Sequence, residues 1–120
     1  MATTNVPVTA LTRSGVNGLA AAYTAAASGD GNSFFNSGRE IVILDNAGAA
    51  SNVVATFVTV NTVDGNAISN LDVAIGANAR LILKPFPVAD YNATGTTDTN
   101  KVTVTWAGTL TNATMAVFAP

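Results

Sequence analysis

Short runs of aliphatic and β-branched residues dominate this chain after its first quarter, broken roughly every 10–15 residues by clusters of Gly, Asn, Asp and Pro. Such punctuation leaves no stretch long enough for a useful helix and predicts strands throughout. The organising stretch is GDGNSFFNSGREIVILDNAG, residues 29–48. Two turn clusters, Gly29-Asp30-Gly31-Asn32 and Asn36-Ser37-Gly38, bracket the aromatic pair Phe34-Phe35. The chain then runs straight into Ile41-Val42-Ile43-Leu44. Four apolar residues between breakers predict a strand at the centre of a sheet, buried on both faces.

Further strands follow in order. Residues 53–60, VVATFVTV, form one, and Asp64-Gly65 then turns the chain. Leu71, Val73 and Ile75 alternate with Asp72 and Ala74, which predicts one buried face. After a turn at residues 76–79, Arg80-Leu81-Ile82-Leu83-Lys84 gives a short strand stopped by Pro85. Pro85-Phe86-Pro87 fixes an irregular corner, since each proline steers its predecessor away from helix. A polar Thr/Gly loop occupies residues 93–100. The cleanest alternation spans residues 101–107, with Val102, Val104 and Trp106 on one face and Thr103 and Thr105 on the other. Residues 113–119 supply the last strand.

Upstream, proline in Val6-Pro7-Val8 excludes a central strand and suits an extended arm or an edge. LAAAYTAAA, residues 19–27, is too short between Gly18 and Ser28-Gly29 for a helix to stand alone, and is expected to be extended. The expectation is an all-β, antiparallel, jelly-roll-like β-sandwich with an extended N-terminal arm. Residues 1–18 form the arm and residues 19–120 a single domain, a size that buries a real core.

Charge narrows the function. Charged residues are 10% of the 120, against about 25% in an average soluble protein, and the net charge is −2. A Thr- and Asn-rich surface of this kind does not rely on charge repulsion for solubility, which points to a homo-oligomer or a subunit of a larger assembly. Arg13, Arg39, Arg80, Lys84 and Lys101 are scattered, without the basic cluster that nucleic acid requires. No apolar run approaches the roughly 18 residues of a membrane span. Residues 16–27 imitate a signal peptide after Arg13, but Asn17, Gly18, Tyr23 and Thr24 make that core too polar.

With neither cysteine nor histidine, thiolate metal sites and the Ser-His-Asp and Cys-His arrangements are ruled out. Aspartates standing singly in turns are expected to be turn formers rather than a glycosidase pair. A calcium loop starting at Asp30 would need Glu at its twelfth position, where Ile41 stands. No catalytic residue, cofactor or metal ligand is therefore expected. The sequons Asn92-Ala93-Thr94 and Asn112-Ala113-Thr114 are expected by chance in so Asn- and Thr-rich a chain. Tyr23, Phe34, Phe35, Tyr91 and Trp106 are candidates for a sugar-binding face, although Trp106 beside Val102 and Val104 suits a core.

Several local patterns recur together. They are Thr12-Arg13-Ser14-Gly15, Tyr23-Thr24-Ala25-Ala26, and Gly29-Asp30-Gly31 with Phe35-Asn36-Ser37-Gly38-Arg39-Glu40 before a strand ending in Asn46. Val63-Asp64-Gly65, Pro85-Phe86-Pro87 with Tyr91-Asn92, and Val102-Thr103-Val104-Thr105 complete the set. In these the chain resembles small β-sandwich proteins encoded among the head genes of tailed bacteriophages, whose described members include capsid cement, or decoration, proteins. The resemblance implies a structural virion protein on the outer surface of the head. It would be a homotrimer that binds the major capsid protein and stabilises contacts between neighbouring copies, with modest contacts multiplied by copy number. The contact elements it implies are residues 1–12, including Val6, Pro7 and Val8, and the loop at residues 93–100, with Arg13, Arg39, Arg80 and Lys84 for charged contacts. An extended arm adds a strand to a neighbour's sheet edge, so deletion of residues 1–12 is expected to abolish capsid binding and leave the domain folded. The alternatives are a carbohydrate-binding or adhesin module of a phage tail or surface structure, and a connector or tail-tube subunit assembling into larger rings.

Overall fold

The computed structural model describes residues 3–15, 23–47, 52–94 and 99–120, and within them most of the expected apolar runs form strands, the run at 53–60 as far as Phe57. Strands are numbered in chain order. One sheet has the order β1 (Thr4–Asn5), β4 (Asn32–Phe35), β11 (Lys101–Gly108), β6 (Val53–Phe57), β9 (Leu71–Ile75). The other has the order β10 (Ala79–Leu83), β5 (Ile41–Asn46), β12 (Ala113–Ala119), β2 (Val8–Ala10), and β3 (Thr24–Ala25) also pairs with β12. A small hairpin, β7 (Thr62–Val63) with β8 (Asn66–Ala67), interrupts the β6–β9 connection, and one helical turn, α1 (Val88–Tyr91), lies between β10 and β11.

The chain is all-β, and both sheets feed one core, as a β-sandwich requires. Its consecutive strands β5 and β6 lie in different sheets, as do β10 and β11, while β5 pairs with β10 and β6 with β11. The two crossings therefore lock each other. Inward rows are continuous across the register: Asn32, Val104, Phe57 and Leu71 in one sheet, Leu81, Leu44 and Met115 in the other. Phe34, Leu44, Phe57, Ile75 and Met115 lose all contact with solvent. Burial on that scale contributes about 1.5–3 kcal/mol for each such side chain.

Four expectations change. β5 is central as expected, but only the side carrying Val42, Leu44 and Asn46 is buried, while Ile41, Ile43 and Asp45 on the other are half-buried. Asn32–Phe35, expected to be turn and aromatic pair, is a strand in which Phe34 is buried and Phe35 exposed. A helical turn follows Pro87, whose extended backbone occupies the N-cap position. It is too short to leave any periodicity in the sequence.

The free N-terminal arm is not what the described residues form. β1 pairs in parallel with β4 in one sheet, and β2 in parallel with β12 in the other. Val6 between them is 1% exposed and packs in the core. Pro7 sits at the crossing, where no ladder needs its missing N–H, and both paired segments are outer strands of their sheets, as proline demands. Residues 3–10 thus belong to the sandwich, and removal of residues 1–12 would open the core rather than leave it intact. The expectation for residues 19–22 lies outside the described residues, as do residues 95–98 of the polar loop.

Gly31 and Gly65 share a φ of +80°, yet their surroundings differ. A Cβ on Gly31 would strike the Val104 carbonyl oxygen of β11, whereas one on Gly65 meets nothing within 4 Å. Gly65→Ala is expected to cost about 1–2 kcal/mol, the left-handed penalty alone, and Gly31→Ala roughly 2–5 kcal/mol because strain and overlap add. Urea denaturation of the two variants measures the difference; equal losses would disprove the close approach of residue 31 to β11.

Candidate functional site

Strand register gathers several connections at one end of the sandwich. β10 leaves its sheet at Leu83 opposite Val42, near the start of β5, and β2 leaves at Ala10 opposite Ala119. In the other sheet Lys101 enters opposite Phe35, and Phe57 leaves opposite Leu71. Residues 11–15, 36–40, 58–70 and 84–94 therefore meet at this loop end.

Buried amides fasten two of these loops together. Asn36 Nδ2 donates to the Phe86 carbonyl (3.0 Å) and to Asn92 Oδ1 (2.8 Å), while Asn92 Nδ2 donates back to the Asn36 carbonyl (2.7 Å). Asn36 Oδ1 also accepts from the Gly38 amide. The same Asn92 amide is the nitrogen that glycosylation at that sequon would use, and it is buried in this lock. Next along the chain, the buried Glu40 carboxylate accepts from the Ser37 amide (2.7 Å), the Ser37 hydroxyl (2.9 Å to Oε2) and the Arg39 amide (3.3 Å). Burial pushes this carboxyl up, but the hydrogen bonds from Ser37 and the neighbouring backbone outweigh it and hold Glu40 below its ordinary value.

Phe86 is the aromatic plug under this end. Its ring stacks on Phe57 at 4.6 Å between centroids and meets Tyr91 edge-on at 5.0 Å. Above it opens an apolar cleft of about 290 Å³. Leu71 and Leu83 contribute from the edge strands β9 and β10, Pro85, Phe86 and Pro87 from the corner, and Tyr91 from α1, with exposed Lys84 completing the lining. Val60, on a neighbouring loop, and Val88, at the start of α1, are also exposed.

The contact residues expected from sequence separate into groups. Val6 is in the core and Val8 is half-buried in β2, so of that trio only Pro7 is exposed. Arg80 lies toward the far end of β10. It donates to Asp45 Oδ2 at 3.0 Å and stands 5.5 Å from the Tyr23 ring centroid. The hydrogen bond to Asp45, with the charge of that carboxylate, raises its affinity for the proton. Arg80 is thus occupied within the chain. Arg13, Arg39 and Lys84 are exposed at the loop end, and among the described residues none has an ion-pair partner. Arg39 precedes β5 by two residues and Lys84 directly follows β10, so the pairing of those two strands brings both to the same end.

The sugar-face candidates disperse. Phe34 is buried, Trp106 faces the core and donates to Asn32 Oδ1, Phe35 is on the outer side of one sheet, and Tyr23 is beside Arg80 of the other. Leu71, Leu83 and Phe86 were absent from the sequence-derived contact set, because alternation marks the first two as core and flanking prolines mark the third as a corner. Among the described residues no group of three or more Asp and Glu converges on a metal position, and no helix is long and apolar enough to cross a membrane.

Compared with protein-family models, curated proteins and solved structures, the chain matches none.

A lowered carboxyl stabilises the fold above the ordinary carboxylate range, about pH 4.3, and that contribution is lost as pH falls through the folded value. Glu40→Gln is expected to be about 1–2 kcal/mol less stable than the parent at pH 6, with the gap closing as the pH is lowered toward 3. Thermal melts of both proteins between pH 3 and 7 test this; a gap independent of pH would show that Glu40 does not act as an ionised cap.

Proposed function

We propose that this chain is a structural virion protein of the cement or decoration class, docking on the outer surface of a phage head through the loop end of the sandwich. The carrying observation is the composition of that end. An apolar cleft and exposed Val60, Leu71 and Val88 lie with Arg13, Arg39 and Lys84, in a chain whose surface is otherwise sparsely charged. Exposed apolar groups beside cations that have no ion-pair partner among the described residues suit a protein-docking surface better than a solvated one. The resemblance to head-gene β-sandwiches supplies the partner, the major capsid protein, and a homotrimer supplies the avidity by which modest contacts hold. An adhesin role draws less support, since the aromatic candidates do not share a face.

Immunogold labelling of intact virions from the source lysate tests the reading. Label spread evenly over the heads is the expected result. Label confined to tails or fibres would transfer the protein to the adhesin class, and absence of label from virions would remove the virion role.

A further inference from the structure

The cleft at the loop end is where the core itself stays open. Leu71 continues the inward row of Phe57, and Leu83 continues the inward row of Val42 and Val117. Both belong to edge strands with no further neighbour, so each row ends against the cleft, and Leu71 remains 41% exposed. Phe86 and Tyr91 give this opening an aromatic floor held in place by the Asn36–Asn92 lock. At about 290 Å³ it lies just below the roughly 300–1,000 Å³ of small-molecule pockets, which favours one side chain over a cofactor-sized ligand.

Charge says what must surround that side chain. Lys84 lines the cleft, and Arg39 follows Gly38, where a Cβ would touch the Val88 side chain of α1. Among the described carboxylates of these loops, Glu40 is buried and turned to Ser37, and Asp90 Oδ1 accepts from Asn61 at 2.8 Å; both keep their charge but neither lines the cleft, whose one charged described lining residue is Lys84. Of the others, Asp72 accepts from Thr56 on the outer side of its sheet, and Asp64 is at the hairpin tip. Neither Lys84 nor Arg39 has an ion-pair partner among the described residues.

We propose that this cleft takes one large apolar side chain presented by an acidic segment of a partner protein, with the segment's carboxylates meeting Lys84 and Arg39. The inference rests on the docking role above and specifies its chemistry: an apolar anchor supplies the contact area and the flanking charges supply selectivity.

The test is an NMR titration of the isotope-labelled full chain with three capped pentapeptides. One is acidic with a central phenylalanine, one acidic with a central alanine, and one basic with a central phenylalanine. The expected result is that the acidic phenylalanine peptide shifts Leu71 and residues 83–91, and that the other two bind at least tenfold more weakly. Lys84→Glu, an exposed substitution that leaves the core untouched, is expected to reverse the preference between acidic and basic peptides without changing the melting curve. Equal binding of all three peptides, shifts located elsewhere, or no shift at millimolar peptide would overturn the proposal. So would movement of the same resonances on simple concentration of the protein, which would make the occupant a second copy. Virion labelling separates the two levels: labelled heads with no peptide binding discard the cleft and keep the docking role, while peptide binding with unlabelled virions does the reverse.

Discussion

Burial of asparagine amides is the constraint on which the rest of this sandwich depends. Asn32, Asn36, Asn46 and Asn92 are all at most 5% exposed, and each carries two donors and an acceptor oxygen that burial would penalise if left unpaired. An orphaned group of this kind costs about 1–3 kcal/mol. Asn32 Oδ1 accepts from the Ala27 amide and Trp106 Nε1, while its Nδ2 donates to the carbonyls of Thr4 and Ala25. Asn46 Nδ2 donates to the carbonyls of Ile75 and Gly76, tying β5 of one sheet to the end of β9 in the other. Asn36 and Asn92 lock the loop end. In a chain without cysteine these amides provide the ties between segments distant in sequence, and no described buried side-chain polar atom lacks a partner. Their geometric demands are stricter than those of apolar packing, so they fix one arrangement of the loops.

That same chemistry marks the boundary of what the sequence made legible. Alternating strands announced themselves, because a period of two with β-branched residues is visible in Val102, Val104 and Trp106 or in Leu71, Val73 and Ile75. Asn32 and Ser33 carry the opposite signal, since polar residues between glycines suggest a turn, although both are fully buried in β4. Asn36 and Asn92 are ordinary turn residues by composition, and only tertiary pairing makes them a lock. At the loop end, Arg39 and Lys84 were recoverable from charge alone. The cleft was not, because its walls come from the ends of two rows that look like core and from a proline-bounded phenylalanine, brought together by a strand order no local pattern encodes.

The N-terminal segment shows how one proline can be compatible with two roles. Val6-Pro7-Val8 satisfies both a loose arm and a chain that changes sheets, for in each case the imide needs no ladder partner. The second arrangement prevails because Val6 fills the core and the Thr4 carbonyl satisfies Asn32. A segment tied at both ends in this way is no tether. Docking through it would require the sandwich to open, whereas docking through the loop end uses backbone already held by Asn36, Asn92 and Glu40 and loses less ordering entropy on association.

Low charge gives the loop end its directionality. Several described carboxylates hold hydrogen bonds within the chain, Glu40 at the Ser37 turn, Asp72 with Thr56 and Asp90 with Asn61, while Asp45 is paired with Arg80. The Arg80–Asp45 pair is surface-exposed and contributes little to stability, but it keeps that cation from competing for a partner. Lys101 is likewise turned to Asn5. Arg13, Arg39 and Lys84 share that end with Glu40, Asp64 and Asp90, so its charge is balanced in sum and it is Lys84, in the lining of the cleft, that acts locally. In the proposed docking role, a partner carboxylate would meet Lys84 at the rim as the apolar contact forms in the cleft, so one end would serve both recognition and anchoring.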